Sequence, residues 1–262
     1  MATGEAAGKA AGGKVAIRKC ETLEEMQAAF ALHKEVWRFS DAELVPVRLF
    51  VVANKIGGQV VGAFDEGELV GFALAIPGMR NGHSYLHSQM LAVRQRYRNG
   101  GLGRRLKLFQ REDALARGFE LMEWTFDPLE IKNAYLNIEK LGAIARRYNV
   151  NQYGFTTSPL QGGLPSDRLV AEWWMKSGRV EKVLSGVRVP VSSSPVRISV
   201  PAEIYEWKAS GATRTRALEV QESIRNQFTK TFSQGLSVLG YERDTKGNGT
   251  FLMGKWDEPW MY

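Results

Sequence analysis

The 262-residue sequence holds a single cysteine, Cys20, and three histidines. One thiol forms no intramolecular disulfide and cannot supply a multi-cysteine metal site, so a disulfide-stapled fold is excluded and no metal is expected. No apolar run approaches the roughly 18 to 20 residues that span a bilayer, so no membrane partner is expected either. Residues 1–14, MATGEAAGKAAGGK, lack the apolar core of a signal peptide and read as a flexible Ala/Gly-rich tail. These absences favour a reducing, cytoplasmic setting. No internal repeat is visible.

Against these absences stand 44% apolar and 10% aromatic residues, enough to bury a substantial core and to exclude a disordered or fibrous chain. Lys and Arg number 35 against 28 acidic residues, a net +7 that favours anionic partners: nucleic acid, anionic lipid or a phosphate-bearing cofactor. Charge alone does not choose among them.

The pattern along the chain opens with a strand at residues 15–20. A helix through Phe39 follows, where Thr22 and Glu25 form a capping box. A second helix is expected over 46–56, then β-runs at 59–64 and 68–76 joined by Asp65-Glu66-Gly67. After a loop at 77–82, a third strand spans 84–93. Three strands without an intervening helix make an antiparallel meander and argue against a doubly wound parallel sheet. A helix over 102–117, a strand over 121–126, a helix over 130–141 and a strand over 143–153 complete the first part. Residues 156–166, TTSPLQGGLPS, mark a boundary near 160. Beyond it strands are expected near 169–175 and 196–200, a helix over 213–234, and strands over 236–242 and 250–256. The pattern leaves open whether 161–262 is a second small unit or an extension of the first sheet.

The most informative segment is the turn Arg98-Asn99-Gly100-Gly101-Leu102-Gly103-Arg104 between a strand and a helix. Unpaired N–H groups at a helix start, with glycines that let a phosphate approach, make an anion site. A P-loop would need Gly-Lys-Ser/Thr, and Gly103-Arg104-Arg105 does not supply it. A dinucleotide fingerprint would need glycine at Leu106 and a parallel sheet, although Glu123 stands where a ribose ligand would be. The segment instead resembles the R/Q-x-x-G-x-G/A signature of the GNAT superfamily of N-acetyltransferases, with Met90-Leu91-Ala92-Val93 as the preceding strand. The resemblance runs over 15–153. It implies an α/β (α+β) fold with a mixed, mostly antiparallel sheet flanked by helices. It also implies acetyl-CoA or another acyl-CoA as co-substrate: Leu91 and Val93 would hold pantetheine, and Arg98, Asn99, Gly100, Gly101, Leu102, Gly103 and Arg104 the pyrophosphate. Seven basic residues between Arg94 and Arg111 suit a polyphosphate, and nucleic acid is disfavoured because no nucleic-acid motif accompanies them.

Transfer of an acyl group to an amine needs a base for the ammonium proton and, often, an acid for the departing thiolate. Counting back four residues from Leu91, as in superfamily members with a carboxylate base, gives His87. Strand alternation would set 87, 89, 91 and 93 on one face. Glu123 and Asp127 are alternative carboxylates, and either could pair with arginine instead. The superfamily's usual thiolate acid is a helix tyrosine, but aligning Gly142 with the motif glycine puts Ile138 there. Tyr135, three residues earlier, would share a helix face with it and compensate. Asn133 and Asn137 would bond pantetheine or the acyl carbonyl. WTFDPLEIKNAYLNIEKLGAIARRY, with QYG and GLPSDRLVAEW, resembles a bacterial branch of predicted acetyltransferases with a C-terminal extension. Acetyl or succinyl transfer to a small amine, for instance an amino acid, would fit, with Arg146, Arg147 and Arg168 on the acceptor carboxylate and 161–262 covering the acceptor. Two other readings remain: a non-catalytic acyl-CoA or anion sensor, and a nucleic-acid module. The oligomeric state is open, a homodimer included.

Overall fold

The computed structural model describes residues 15–192 and 195–256; the expected tail at 1–14 lies outside them. In chain order the elements are β1 (Ala16–Lys19), α1 (Leu23–Trp37), α2 (Val47–Lys55), β2 (Gln59–Asp65), β3 (Glu68–Arg80), β4 (His83–Val93), α3 (Leu102–Ala116), β5 (Leu121–Phe126) and α4 (Ile131–Tyr135). A π-helical turn (Leu136–Lys140) then leads to β6 (Ile144–Asn149), β7 (Arg168–Trp174), α5 (Gly178–Leu184), β8 (Val196–Val200), α6 (Ile204–Ala209), α7 (Arg214–Ser233), β9 (Leu236–Arg243) and β10 (Gly249–Lys255).

The ten strands of the described residues lie in one sheet of order β1-β2-β3-β4-β5-β7-β6-β9-β10-β8. Every pairing is antiparallel except β4 with β5. This is the expected mixed, mostly antiparallel sheet flanked by helices. It runs unbroken through residues on both sides of 160, since β7 pairs with β5 from Leu121↔Trp174 to Phe126↔Leu169.

Local chemistry explains the edges of these elements. The Thr22–Glu25 capping box starts α1 as the sequence predicts. The loop expected at 77–82 is instead hairpin: β3 continues to Arg80 and turns through Asn81 (φ 48°) and Gly82 (φ 81°). That Asn-Gly pair suits the left-handed values of a two-residue hairpin turn. Pro77 is tolerated because β2 stops pairing at Ala75, leaving one side of β3 without a neighbour that needs its N–H. The single helix expected over 130–141 is α4 plus the π turn, and α5 and α6 were not anticipated.

Two layers of apolar packing clamp the sheet. On one face, α1 and α2 cover Phe72, Leu74, Met90 and Ala92 with Phe50 and Leu32. On the other, α3 buries Leu102 and Leu106 against Val61, Ala63, Val70 and Ala73, and α7 packs Phe228 on Phe251 and Tyr148. Trp173, fully buried, meets Trp124 edge-on at 5.9 Å and donates its indole N–H to the Leu141 carbonyl at 2.7 Å. Each such side chain stabilises the fold by roughly 1.5–3 kcal/mol through burial.

Candidate active site

β4 and β5 are paired only at Leu86↔Met122 and His87↔Glu123. Beyond that point the two strands run without mutual hydrogen bonds, so the edge of β4 from Ser88 to Val93 is free on the β5 side. The glycine-rich turn lies at the far end of this edge. There Asn99 (φ 65°) and Gly101 (φ 78°) take left-handed values, and α3 begins without a side-chain cap and without an acid in its first turn. A side chain added at Gly101 would meet nothing within 4 Å, and one at Gly103 only Leu91 and Leu136 at 3.7 and 4.0 Å. This is an open cradle of helix-start N–H groups, suited to an anion.

The sequence-predicted anion ligands divide. Arg98 donates Nε to the Val93 carbonyl (2.8 Å) and Arg104 to the Lys140 carbonyl (3.2 Å), so both stand at the cradle. Leu102 is buried among core residues, which leaves only its backbone to offer. The supposed cluster of seven cations is dispersed: Arg94 and Arg96 pair with Glu68, Arg111 pairs with Glu181, and Lys107 lies buried beneath the sheet. Side chains of Leu91 and Val93 pack toward α3, so only the strand backbone is left for pantetheine.

The expectation that 87, 89, 91 and 93 share a face is overturned. Leu74 pairs with Met90 but Ala75 with Ser88, so Gln89 is the extra residue of a bulge. A bulge puts two residues opposite one and inverts the alternation. Ser88, Leu91 and Val93 therefore face α3, whereas His87 shares the opposite face with Glu123, its partner across β5.

On that opposite face Glu123 and Glu172 sit side by side, 2% and 3% exposed. Arg80 binds both Glu123 oxygens at 2.7 Å, Arg147 bridges Glu123 and Glu172, and Arg146 and the Trp174 indole complete Glu172. Burial pushes the Glu123 carboxyl up, but the Arg80 hydrogen bonds and the Arg147 and Arg80 charges outweigh it and hold it below the usual range. Glu123 is thus an ionised anchor for arginines, the alternative its sequence position left open. Burial also lowers the His87 pKa; the Glu123 charge opposes this, and Lys107, Arg80 and Arg147 reinforce it. A neutral imidazole is the form a base requires.

Other predicted residues land elsewhere. Asp127 accepts from buried Lys208 (3.0 Å) and from the Leu129 amide, which ties α6 to the end of β5. Tyr135 and Ile138 do not lie in the one regular helix that was expected. The π turn breaks the i,i+3 spacing, Ile138 is wholly buried, and the Tyr135 ring lies against Lys140 and Arg243 while Leu136 faces Gly103. Asn133 is exposed, whereas Asn137 is 2% exposed with its amide Nδ2 unpartnered. Arg168 stacks over Tyr153, whose hydroxyl meets Thr125 on the Glu123 face. Burial pushes the Cys20 thiol up to about 12, so it is no nucleophile at neutral pH. A cavity of about 240 Å³ lined by Arg179, Lys182, Pro190, Leu239 and Trp256 lies beside α5, and no β4 or β5 residue lines it.

Residues 20–136 match the sequence profile of the acetyltransferase (GNAT) family. That stretch is a GNAT-family acetyltransferase domain. The domain is of the N-acetyltransferase kind, and the family's co-substrate is acyl-CoA. No curated protein sequence matches it significantly. Among solved structures, an N-acetyltransferase from Staphylococcus aureus Mu50 superposes with TM-score 0.51 at 16% identity, covering 63% of this chain and all of its own. A GNAT-family acetyltransferase from Desulfovibrio desulfuricans gives 0.50 at 16%, covering 62% and 99%. Aminoglycoside 6'-acetyltransferase type Ii gives 0.50 at 20%, covering 62% and 98%. These likenesses show the fold. The open cradle and the free β4 edge fit an acyl-CoA diphosphate and pantetheine arm. No helix among the described residues is long and apolar enough to cross a membrane.

Sequence reasoning missed Arg80, Lys107 and Glu172. Glu172 stood as a lone carboxylate in the apolar run Leu169-Val170-Ala171-Glu172-Trp173-Trp174, a pattern that signals a buried, paired charge. Lys107 repeats with Gln110 and Ala114 on the buried stripe of α3, which marks a cation turned inward.

Proposed function

We propose that this GNAT enzyme moves an acetyl or succinyl group from coenzyme A to the amine of a small acceptor that carries a carboxylate, such as an amino acid, in the cytoplasm. The observation that carries it is the charge balance of the Glu123 face: three arginines, Arg80, Arg146 and Arg147, against two glutamates. One positive charge is left over beside His87, and an arginine fork is well matched to a carboxylate. A polycation such as an aminoglycoside would be repelled there.

In this reading His87 takes the ammonium proton of the acceptor, the freed amine nitrogen attacks the thioester carbonyl, the C–S bond breaks to release coenzyme A as thiolate, and the second proton leaves the new amide nitrogen for that thiolate or for water. The cradle at 98–104 fixes the diphosphate, and Asn137 offers its free amide to pantetheine. The segment from Tyr153 to Ser158 spans this face toward α1: Tyr153 bonds Thr125, Thr157 bonds Glu43, and Ser158 donates to the Trp37 carbonyl at 2.6 Å. It supports a role for residues 153–158 in enclosing the acceptor, with 161–262 as the proposed cover beyond them.

Calorimetry with acetyl-CoA, succinyl-CoA, free CoA and a DNA duplex, followed by thiol release across an amine panel, tests the proposal. Binding of CoA species and turnover with amino acids, lost in His87→Ala, is expected; failure of every CoA species to bind overturns it. The buried Ile138 at the position of the usual acid favours one second reading, an acyl-CoA sensor without turnover. Tight CoA binding with no thiol release from any amine would select it.

A further inference from the structure

Lys107 is 2% exposed, and no carboxylate among the described residues pairs with it. Its Nζ donates to Ser88 Oγ at 2.7 Å and lies 3.7 Å from the centre of the Trp124 ring. Ser88 in turn donates to Gln110 Oε1 at 3.1 Å, while Gln110 Nε2 is buried without a partner. The cluster therefore holds more donors than acceptors. Burial holds the Lys107 pKa well below its ordinary value. For stability alone this is a poor choice, because an apolar side chain of similar length would avoid burying an unpaired amine.

Its position makes the surplus useful. Ser88 and Trp124 are the first residues of β4 and β5 beyond their last paired positions, so Lys107 lies where the two strands part. From Val93, next to the cradle, to Ser88 the strand covers about 17 Å at roughly 3.3 Å per residue, the reach of an extended pantetheine arm. An acyl group would then end beside Ser88. The His87 face belongs to the acceptor, which leaves the α3 side for the rest of the acyl chain.

We propose that Lys107, with Ser88 and Gln110, receives a carboxylate at the end of the acyl chain, so that the preferred donor is the coenzyme A thioester of a dicarboxylic acid rather than acetyl-CoA. This rests on the reading that acyl-CoA occupies the β4–β5 divergence. Entry of the carboxylate gives the ammonium its missing counter-charge and the Gln110 amide an acceptor.

The test is calorimetric affinity of the full chain for succinyl-CoA, acetyl-CoA and CoA, together with thermal melting of the ligand-free protein. Wild type should bind succinyl-CoA at least about tenfold more tightly than acetyl-CoA, as a buried charge-assisted pair warrants. Lys107→Met should abolish the preference, keep acetyl-CoA binding and melt at a higher temperature. Ser88→Ala should weaken the preference, and it carries the test if Lys107→Met does not fold. Equal wild-type affinities, or a preference that survives in these variants, overturn the proposal while leaving the acyl-CoA reading intact. Failure of all three CoA species to bind refutes that reading itself.

Discussion

Replacing Glu123 by glutamine removes one negative charge from a buried cluster without changing its shape. The carboxylate takes two hydrogen bonds of 2.7 Å from Arg80 and another from Arg147. Removing one partner of a fully buried ion pair costs about 3–5 kcal/mol. Arg80 and Arg147 keep 29% and 39% of their side-chain surface in water, which screens the stranded charge. Discounted for that screening, the expected loss is about 2 kcal/mol, or roughly 4–8 °C in melting temperature for a chain of this size. The same change acts on His87. The Glu123 charge is what raises the imidazole pKa, while Arg80 and Arg147 lower it, so its removal lowers the pKa further. A base works when deprotonated, so the acidic limb of kcat/KM against pH should move to lower pH. Urea unfolding and a pH series of thiol release measure the two effects. Unchanged stability, or a limb that moves to higher pH, refutes the reasoning. Abolished turnover at every pH in a folded variant would make Glu123 the base in place of His87.

Two further substitutions probe the cradle and the far half of the sheet. Gly101→Ala places a Cβ in open space at φ 78°, so stability should fall by only about 1–2 kcal/mol from the left-handed backbone. The Cβ obstructs a bound phosphate, and the thermal shift given by acetyl-CoA should shrink by more than the ligand-free melting temperature does. Asp167 is fully buried and receives Arg225 at 2.8 and 3.1 Å and the Tyr148 hydroxyl at 2.7 Å. Asp167→Ala should cost about 3–5 kcal/mol in urea unfolding by leaving that guanidinium unpaired, with Asp167→Asn recovering part of the loss.

Much of this was legible in the chain itself. The capping box at Thr22, the Gly67 hairpin and the stop of α3 before Gly118 are local chemistry, and these three features stand where the sequence predicts. The open shape of the turn at 98–104 was legible for the same reason, because it needs only glycines and a helix start in succession. The polar face was not. Its arginines come from β3 and β6 and its carboxylates from β5 and β7, residues 43 and 24 positions apart in the Glu123 pairs alone. The bulge at Gln89 has no glycine or proline to announce it, yet it decides which side His87 faces. The π turn after Tyr135 is equally silent, and it undid the helical spacing on which that tyrosine's role depended.

By itself the sequence determined most of the elements, the absence of an intramolecular disulfide and a glycine-lined helix start in the turn at 98–104, because each depends on neighbours within a few residues. Only the tertiary structure decided how the net positive charge is spent. It pairs Arg94 and Arg96 with Glu68, gathers three arginines around two buried carboxylates, and leaves Lys107 without a counter-ion among the described residues where β4 and β5 part. The physical reason is that charge acts through space and burial, and both are set by strand order and register across the sheet.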